Sequence, residues 1–282
     1  MLHNFNEMLN AARAGGYAIG SFNAYNYETM KGAVLAAKRL NLPVIVAFGA
    51  KYLANMSLED ARATAASLAE GHGVPVCLHL DHCPDLGVVF RAIRAGFTSV
   101  MYDGSSLPFE ENVSNTARVC EVAQACGVSV EAELGSLAAT ETSHEGSADD
   151  KEVYTSPEAA KSFVKRTGCD ALAVSVGTMH GLYKGAPNIR LDILKEINAA
   201  LGVPLVLHGG SGIPEEMIRA CIDEGIAKIN VNTEISSYVI AKTRDLLAAE
   251  KPPHLASAAE KQTGYVSEIV EKYMRFFMNG KT

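Results

Sequence analysis

Along the chain, short continuous apolar runs alternate with longer stretches in which apolar residues recur every three or four positions. The short runs are YAIGSF (17–22), PVIVAF (43–48), PVCLHLD (75–81), SVMYD (99–103), VSVEAE (128–133), ALAVSVG (171–177), PLVLHG (204–209) and AKINVN (227–232). They are often β-branched, the pattern of strands buried on both faces. Between them, ETMKGAVLAAKRL, LEDARATAASLAEGH, ENVSNTARVCEVAQAC and PEEMIRACIDEG carry helical spacing. Eight such alternations predict parallel strands joined by crossover helices, closed into a (β/α)8 TIM barrel. No Pro/Ser-rich linker divides the chain, so residues 1–282 are expected to form one domain with a C-terminal helical extension. In that extension Val266, Ile269, Val270, Tyr273, Phe276 and Phe277 form an apolar stripe, expected to pack on the barrel or on a second subunit.

The polar residues that interrupt this pattern fall at predicted strand ends. His82 follows the third strand, His180 the sixth, and His208 ends the seventh; Asp81 and Glu133 end the third and fifth. In a barrel those ends share one rim, where active sites are built. Three neutral imidazoles with an open fourth position make a catalytic zinc arrangement. His79 shares a strand face with Asp81 and suits an orienting role better than a ligand role. Three segments follow the last three strands: the glycine-rich HGLYKG (180–185) and HGGSGI (208–213), whose backbone amides can approach an oxyanion, and the polar INVNTE (229–234); together they point to a phosphorylated substrate. The connections 134–156 and 177–190 are long enough to lie over this rim.

Composition narrows the classes. A net charge of -7 without a Lys/Arg cluster argues against a nucleic-acid partner. No apolar run approaches the ~20 residues of a membrane span, and the first residues lack the layout of a secretory signal. Six scattered cysteines without a CxxC pair are expected as reduced thiols, and the protein is expected to be cytoplasmic.

Taken together and in order, SFNAYN (21–26), LHLDH, VEAELG, GTMHGLYKG, LVLHGGSG and KINVNTE resemble the class II, metal-dependent ketose-bisphosphate aldolases, over residues 1 to about 240. That family includes fructose- and tagatose-bisphosphate aldolases. The resemblance implies that His82, His180 and His208 bind Zn²⁺ and that Glu133 is a carboxylate at the metal. Asp81 matches the acid/base that, in cleavage, takes the proton from the C4 hydroxyl. Glu141 matches a loop glutamate exchanging the proton at C3. Gly181, Lys184, Gly209, Ser211, Asn232 and Thr233 match positions around the substrate phosphate, with Gly181 and Gly209 also at a monovalent-cation (Na⁺ or K⁺) site. Asn230 matches a contact to the ketone end, and Asn23 in SFNAYN is a further substrate-binding position. The expected reaction is reversible cleavage of a ketose 1-phosphate or 1,6-bisphosphate into dihydroxyacetone phosphate and an aldehyde. It passes through an enediolate stabilised by zinc, and a homo-oligomer, dimer or tetramer, is expected.

Two features depart from the family pattern. SLAATE (136–141) has alanines where the family usually has glycines. KPPHLASA (251–258) stands where many members carry Asp-Pro-Arg, whose arginine grips a distal phosphate. Neither Lys251 nor His254 offers arginine's bidentate fork, which predicts a substrate without that phosphate. Three other readings compete. One is a metal-dependent hydrolase of a phosphorylated sugar in the same fold. Another is a non-catalytic sugar-phosphate-binding subunit. The third is a Schiff-base aldolase using Lys228.

Overall fold

The computed structural model describes residues 1–135, 137–139, 153–183, 185, 187–249 and 254–281. Eight parallel strands close into a barrel: β1 Ile19–Asn23, β2 Val44–Gly49, β3 Val76–Cys83, β4 Ser99–Tyr102, β5 Ser129–Leu134, β6 Ala171–Val174, β7 Leu205–Leu207 and β8 Ile226–Val231. Each pairs with its sequence neighbours, and β8 closes on β1 through Ile19↔Lys228 to Phe22↔Val231. The predicted sixth and seventh strands end early. The chain leaves the sheet at Val174 and Leu207, and the segments beyond turn through Gly177 (φ 107°) and Gly209 (φ 69°).

Helices α2 (Tyr27–Leu40), α3 (Leu58–His72), α4 (Leu86–Ala95), α5 (Phe109–Ala125), α6 (Pro157–Thr167), α7 (Leu191–Ala200), α8 (Glu215–Asp223) and α9 (Thr233–Ala249) follow the strands in turn. Side-chain caps mark several starts: Ser57, Asp85 and Ser156 accept backbone N–H bonds, and Asn26 forms a capping box with Thr29. Outward-facing strand residues such as Leu78, Leu80, Val100 and Val130 pack under this helical layer in one buried core.

A second core lies inside the barrel. Ile19, Ile45, Cys77, Ala171 and Val206 meet Phe5, Leu9 and Ala12. The last two belong to α1 (Asn6–Gly15), a helix that the pattern of the chain did not single out. It packs at the end of the barrel opposite the mouth. Because that floor is apolar, the polar inward-facing residues occupy the levels above it. The C-terminal helix α10 (Leu255–Phe277) lays its stripe on the barrel's own helices: Val266 approaches Gly32 of α2 so closely that a Cβ there would lie 2.5 Å from it. Among the described residues no helix is long and apolar enough to cross a membrane.

Candidate active site

On β3 the inward positions are Cys77, His79 and Asp81, rising from the apolar floor to the mouth. In a regular strand His82 would point away from Asp81. It does not, because β3 spends three residues (Leu80 to Cys83) where β4 spends two (Val100 to Tyr102). This bulge puts His82 at φ 44°, a left-handed conformation that a non-glycine residue adopts at a cost. The irregularity turns an imidazole into the mouth beside the carboxylate.

There His82 meets the other two predicted imidazoles. Ring centroids lie 4.5 Å (His82–His208), 5.0 Å (His82–His180) and 6.0 Å (His180–His208) apart. One nitrogen from each falls within 4.8 Å of the others, a spacing that could hold a metal ion. Two of the rings are fixed from behind by carboxylates. His82 Nδ1 is 2.9 Å from Asp103 Oδ2, and His208 Nε2 is 2.8 Å from Glu131 Oε1. An ionised carboxylate only accepts, so these nitrogens carry the protons. The opposite atoms, His82 Nε2 and His208 Nδ1, are buried without a hydrogen-bond partner. Orphaned imidazole nitrogens converging on one point fit a divalent cation, since neutral nitrogens held by carboxylates are how proteins present histidine ligands. Glu133 Oε2 is likewise buried and unpartnered, 3.7 Å from His208 Nδ1 and 3.8 Å from His82 Nδ1. His82, Asp103 and Glu133 form a second possible ligand triplet sharing His82.

Below this layer runs a chain of fully or almost fully buried polar groups. Asn23 donates to Asp81 Oδ2 (3.0 Å) and Asn230 to Asp81 Oδ1 (3.1 Å). Lys228 Nζ donates to Asn230 Oδ1 (2.7 Å) and pairs with Glu131 Oε2 (2.8 Å). His79 bonds Ser99 Oγ at 2.8 Å and sits between Asp81 (3.8 Å) and Glu131 (3.7 Å). Lys228 is therefore committed to an ion pair rather than offered to a carbonyl substrate.

The charges follow from these contacts. Burial works to raise Asp81, but His82 and Lys228 outweigh it and hold the carboxyl well below its usual range. Glu131 is likewise brought down to about 2, burial being overcome chiefly by Lys228. Burial and then the Asp103 carboxylate push Glu133 well above its ordinary value. Burial lowers His79 to about 4 and His180 well below normal. His82 goes the other way: burial opposes its protonation, but Asp81 and Asp103 dominate and raise it.

The predicted phosphate positions also gather. Ser211 Oγ accepts from Asn232 N (3.3 Å) and Glu234 N (3.2 Å), tying the loop after β7 to the start of α9, where Thr233 is the first residue. Gly209 passes so close to Met179 that a Cβ would lie 2.3 Å from its carbonyl oxygen. The Gly209 carbonyl accepts from Tyr183 Oη (2.9 Å), leaving one lone pair for the monovalent cation that the resemblance implies. Gly181 is at φ 107° next to His180. Glu141 and Lys184 lie outside the described residues.

Sequence reasoning left out Asp103 and Glu131. Both had a signal: Asp103 ends SVMYD, and Glu131 and Glu133 alternate onto one face of VSVEAE. Lys228, Asn230 and Asn232 share the same period in KINVN.

A sequence profile described as Fructose-bisphosphate aldolase class-II matches residues 3–281. The chain belongs to this family. The aldolase is 43% identical over 252 residues (88% of this chain, 87% of the relative) to a probable fructose-bisphosphate aldolase of Bacillus subtilis. It is 42% identical over 229 residues (81% and 79%) to a sulfofructosephosphate aldolase of Alkalicoccus urumqiensis. The YdjI aldolase structure from Escherichia coli K12 superposes with a TM-score of 0.88 at 33% identity, covering 100% of this chain and 99% of that one. Membership makes the aldolase a carbon–carbon lyase and sets aside the hydrolase and the non-catalytic subunit.

Proposed function

We propose that this aldolase reversibly cleaves a ketose 1-phosphate into dihydroxyacetone phosphate and an aldehyde, and that the aldehyde end carries no phosphate. The observation that carries the reading is the meeting of His82, His180 and His208 beside Asp81 at the barrel mouth. Those three imidazoles, with Glu133 adjacent, would hold Zn²⁺. A bound dication supplies a Lewis acid that offsets the negative charge left on the ketone end when the C3–C4 bond breaks.

The chain's own residues do the rest. Asp81, kept ionised by the charges around it, takes the proton from the C4 hydroxyl as the bond to C3 opens. Asn23 and Asn230 each donate to one of its oxygens, which fixes the carboxylate plane and leaves lone pairs for the substrate. Asn230 reaches the same region from β8 and is placed to contact the ketone end. Glu141 returns a proton to C3. The amides and hydroxyls around Gly181, Gly209, Ser211, Asn232 and Thr233, with Lys184, receive the phosphate.

The far end of the substrate is read from what lies past Asn232. Its side chain donates to Tyr52 Oη at 3.1 Å, and this bridge borders a cleft of about 360 Å³. Tyr25, Asn26, Asn55, Ser236 and Gln262 line it beside the apolar Val239, Ile240 and Val266; among the described residues its charged member is the carboxylate of Glu28, with no lysine or arginine. Hydroxyls, amides and a carboxylate suit a polyol better than a second phosphate. The missing arginine at 251–258 agrees, and one relative, 42% identical, is named for sulfofructosephosphate rather than for fructose bisphosphate, which supports the reading.

Two assays test this. Solvent deuterium exchange into dihydroxyacetone phosphate reports C3 proton transfer without any aldehyde. It should occur and stop on chelation; its absence in zinc-loaded protein would remove the aldol reading. Comparison of kcat/KM for fructose 1,6-bisphosphate, tagatose 1,6-bisphosphate and several ketose 1-phosphates tests the far end, and a clear preference for a bisphosphate would end that part.

A further inference from the structure

The C-terminal helix enters the site from behind. Tyr273, on α10, is 2% exposed and sits against the loop after β7. The backbone N–H of Gly212 donates to Tyr273 Oη at 3.2 Å, and the same hydroxyl donates to the Glu234 carboxylate. One residue earlier, Lys272 Nζ pairs with the other Glu234 oxygen at 3.1 Å. Glu234 is the second residue of α9, the helix whose first amides border the phosphate positions, and its own N–H is held by Ser211 Oγ.

This arrangement resolves a conflict. A helix N-terminus attracts an anion through its free N–H groups and dipole. A carboxylate in that first turn repels the same anion if it swings toward it. Tyr273 and Lys272 hold both Glu234 oxygens on the α10 side, and Lys272 compensates the charge. Tyr273 also fixes Gly212, which at φ 77° has few conformational restraints of its own. The loop carrying Gly209 and Ser211 is thus pinned at its far end to a helix outside the (β/α)8 unit.

We infer that Tyr273 and Lys272 are positioning residues for the anion cradle: they hold the Gly212 loop and turn the Glu234 carboxylate away, so that the cradle binds the phosphate of the substrate tightly. This rests on the phosphate reading above. It goes beyond that reading because neither residue touches substrate and neither lies in a motif that carries the family resemblance.

The test uses full-length zinc-loaded protein, inorganic phosphate as calorimetric probe and the dihydroxyacetone phosphate exchange reaction as kinetic probe. Ser211→Ala comes first: unchanged phosphate affinity would place the anion elsewhere and overturn both readings. With that control weakened, Tyr273→Phe should weaken phosphate binding and raise KM roughly tenfold, the scale of a lost hydrogen bond to a charged group. kcat should change much less. Lys272→Met, at a half-exposed position that folding tolerates, should weaken phosphate binding about two- to threefold, as expected for an exposed ion pair, and Lys272→Arg should restore it. A Tyr273→Phe protein with wild-type phosphate affinity and KM, or one in which kcat falls while KM holds, refutes the inference. If Tyr273→Phe does not fold, the lysine pair decides: equal affinity in Lys272→Met and wild type also refutes it.

Discussion

Single residues in this site are set by what stands behind them. Asp103 holds His82 by its Nδ1, so Asp103→Ala should free that ring and weaken zinc binding by about 10–100-fold, the usual cost of losing such a partner; competition with a chromogenic chelator measures it. Asp81→Ala should retain zinc while losing at least ~10²-fold in kcat, on the scale of acid/base catalysis. Among the described residues, Lys228 is the lysine or arginine that pairs with Glu131. Lys228→Met leaves a buried carboxylate uncompensated and should cost about 3–5 kcal/mol, read from the urea midpoint. The pH dependence of the metal-free chain has a definite sign. His79 titrates at about 4 when folded and Glu131 at about 2, both below their ordinary values. Through these two groups the unfolded chain binds more protons. Glu133, raised when folded, works the other way above the ordinary glutamate value and opposes His79 there. Below that value Glu133 is protonated in both states, while Glu131, held at about 2, and Asp81, held well below its usual range, still favour the folded ionised form. Stability is therefore lost as pH falls from the ordinary glutamate value towards 2. Denaturant midpoints that rise on acidification from pH 4 to 3 would contradict this.

At the scale of elements, the two ends of the barrel carry different burdens. The floor is apolar and is sealed by α1, whose Leu9 is wholly buried against barrel residues. Leu9→Ala should cost about 2–5 kcal/mol and lower Tm, while kcat per folded molecule holds because the catalytic layer lies at the opposite end. The mouth depends instead on strand irregularities and tight turns. Gly209→Ala would combine an unfavourable φ of 69° with a Cβ 2.3 Å from the Met179 carbonyl oxygen. It should displace the segments bearing both His208 and His180, and lose zinc with little change in far-UV circular dichroism.

For the whole molecule, the fold itself brings the three imidazoles together. His82 is tied to the half-buried carboxylate of Asp103 and His208 to the buried one of Glu131, and those carboxylates to Ser105 and Lys228. Chelation should therefore abolish proton exchange into dihydroxyacetone phosphate while the far-UV spectrum and a cooperative thermal transition persist. Collapse of the barrel on chelation would show that the metal organises the site.

The sequence by itself determined the eight strand–helix alternations, because burial on both faces and helical amphipathicity leave a local record in the spacing of apolar residues. It also placed His82, His180, His208, Asp81 and Glu133 at strand ends, where a barrel must expose them on one rim. Other features needed the tertiary structure. The bulge that turns His82 toward its neighbour is set by pairing with β4, and no residue of LHLDH announces it. Asp103, Glu131 and Lys228 matter through partners 21, 77 and 97 residues away in the chain, and a charge inside a strand reads the same whether it is paired or exposed. The apolar stripe of α10 was visible, but not the single hydroxyl in it that reaches Gly212 and Glu234. Periodicity records which face is buried; only the closed fold decides which polar atoms meet there.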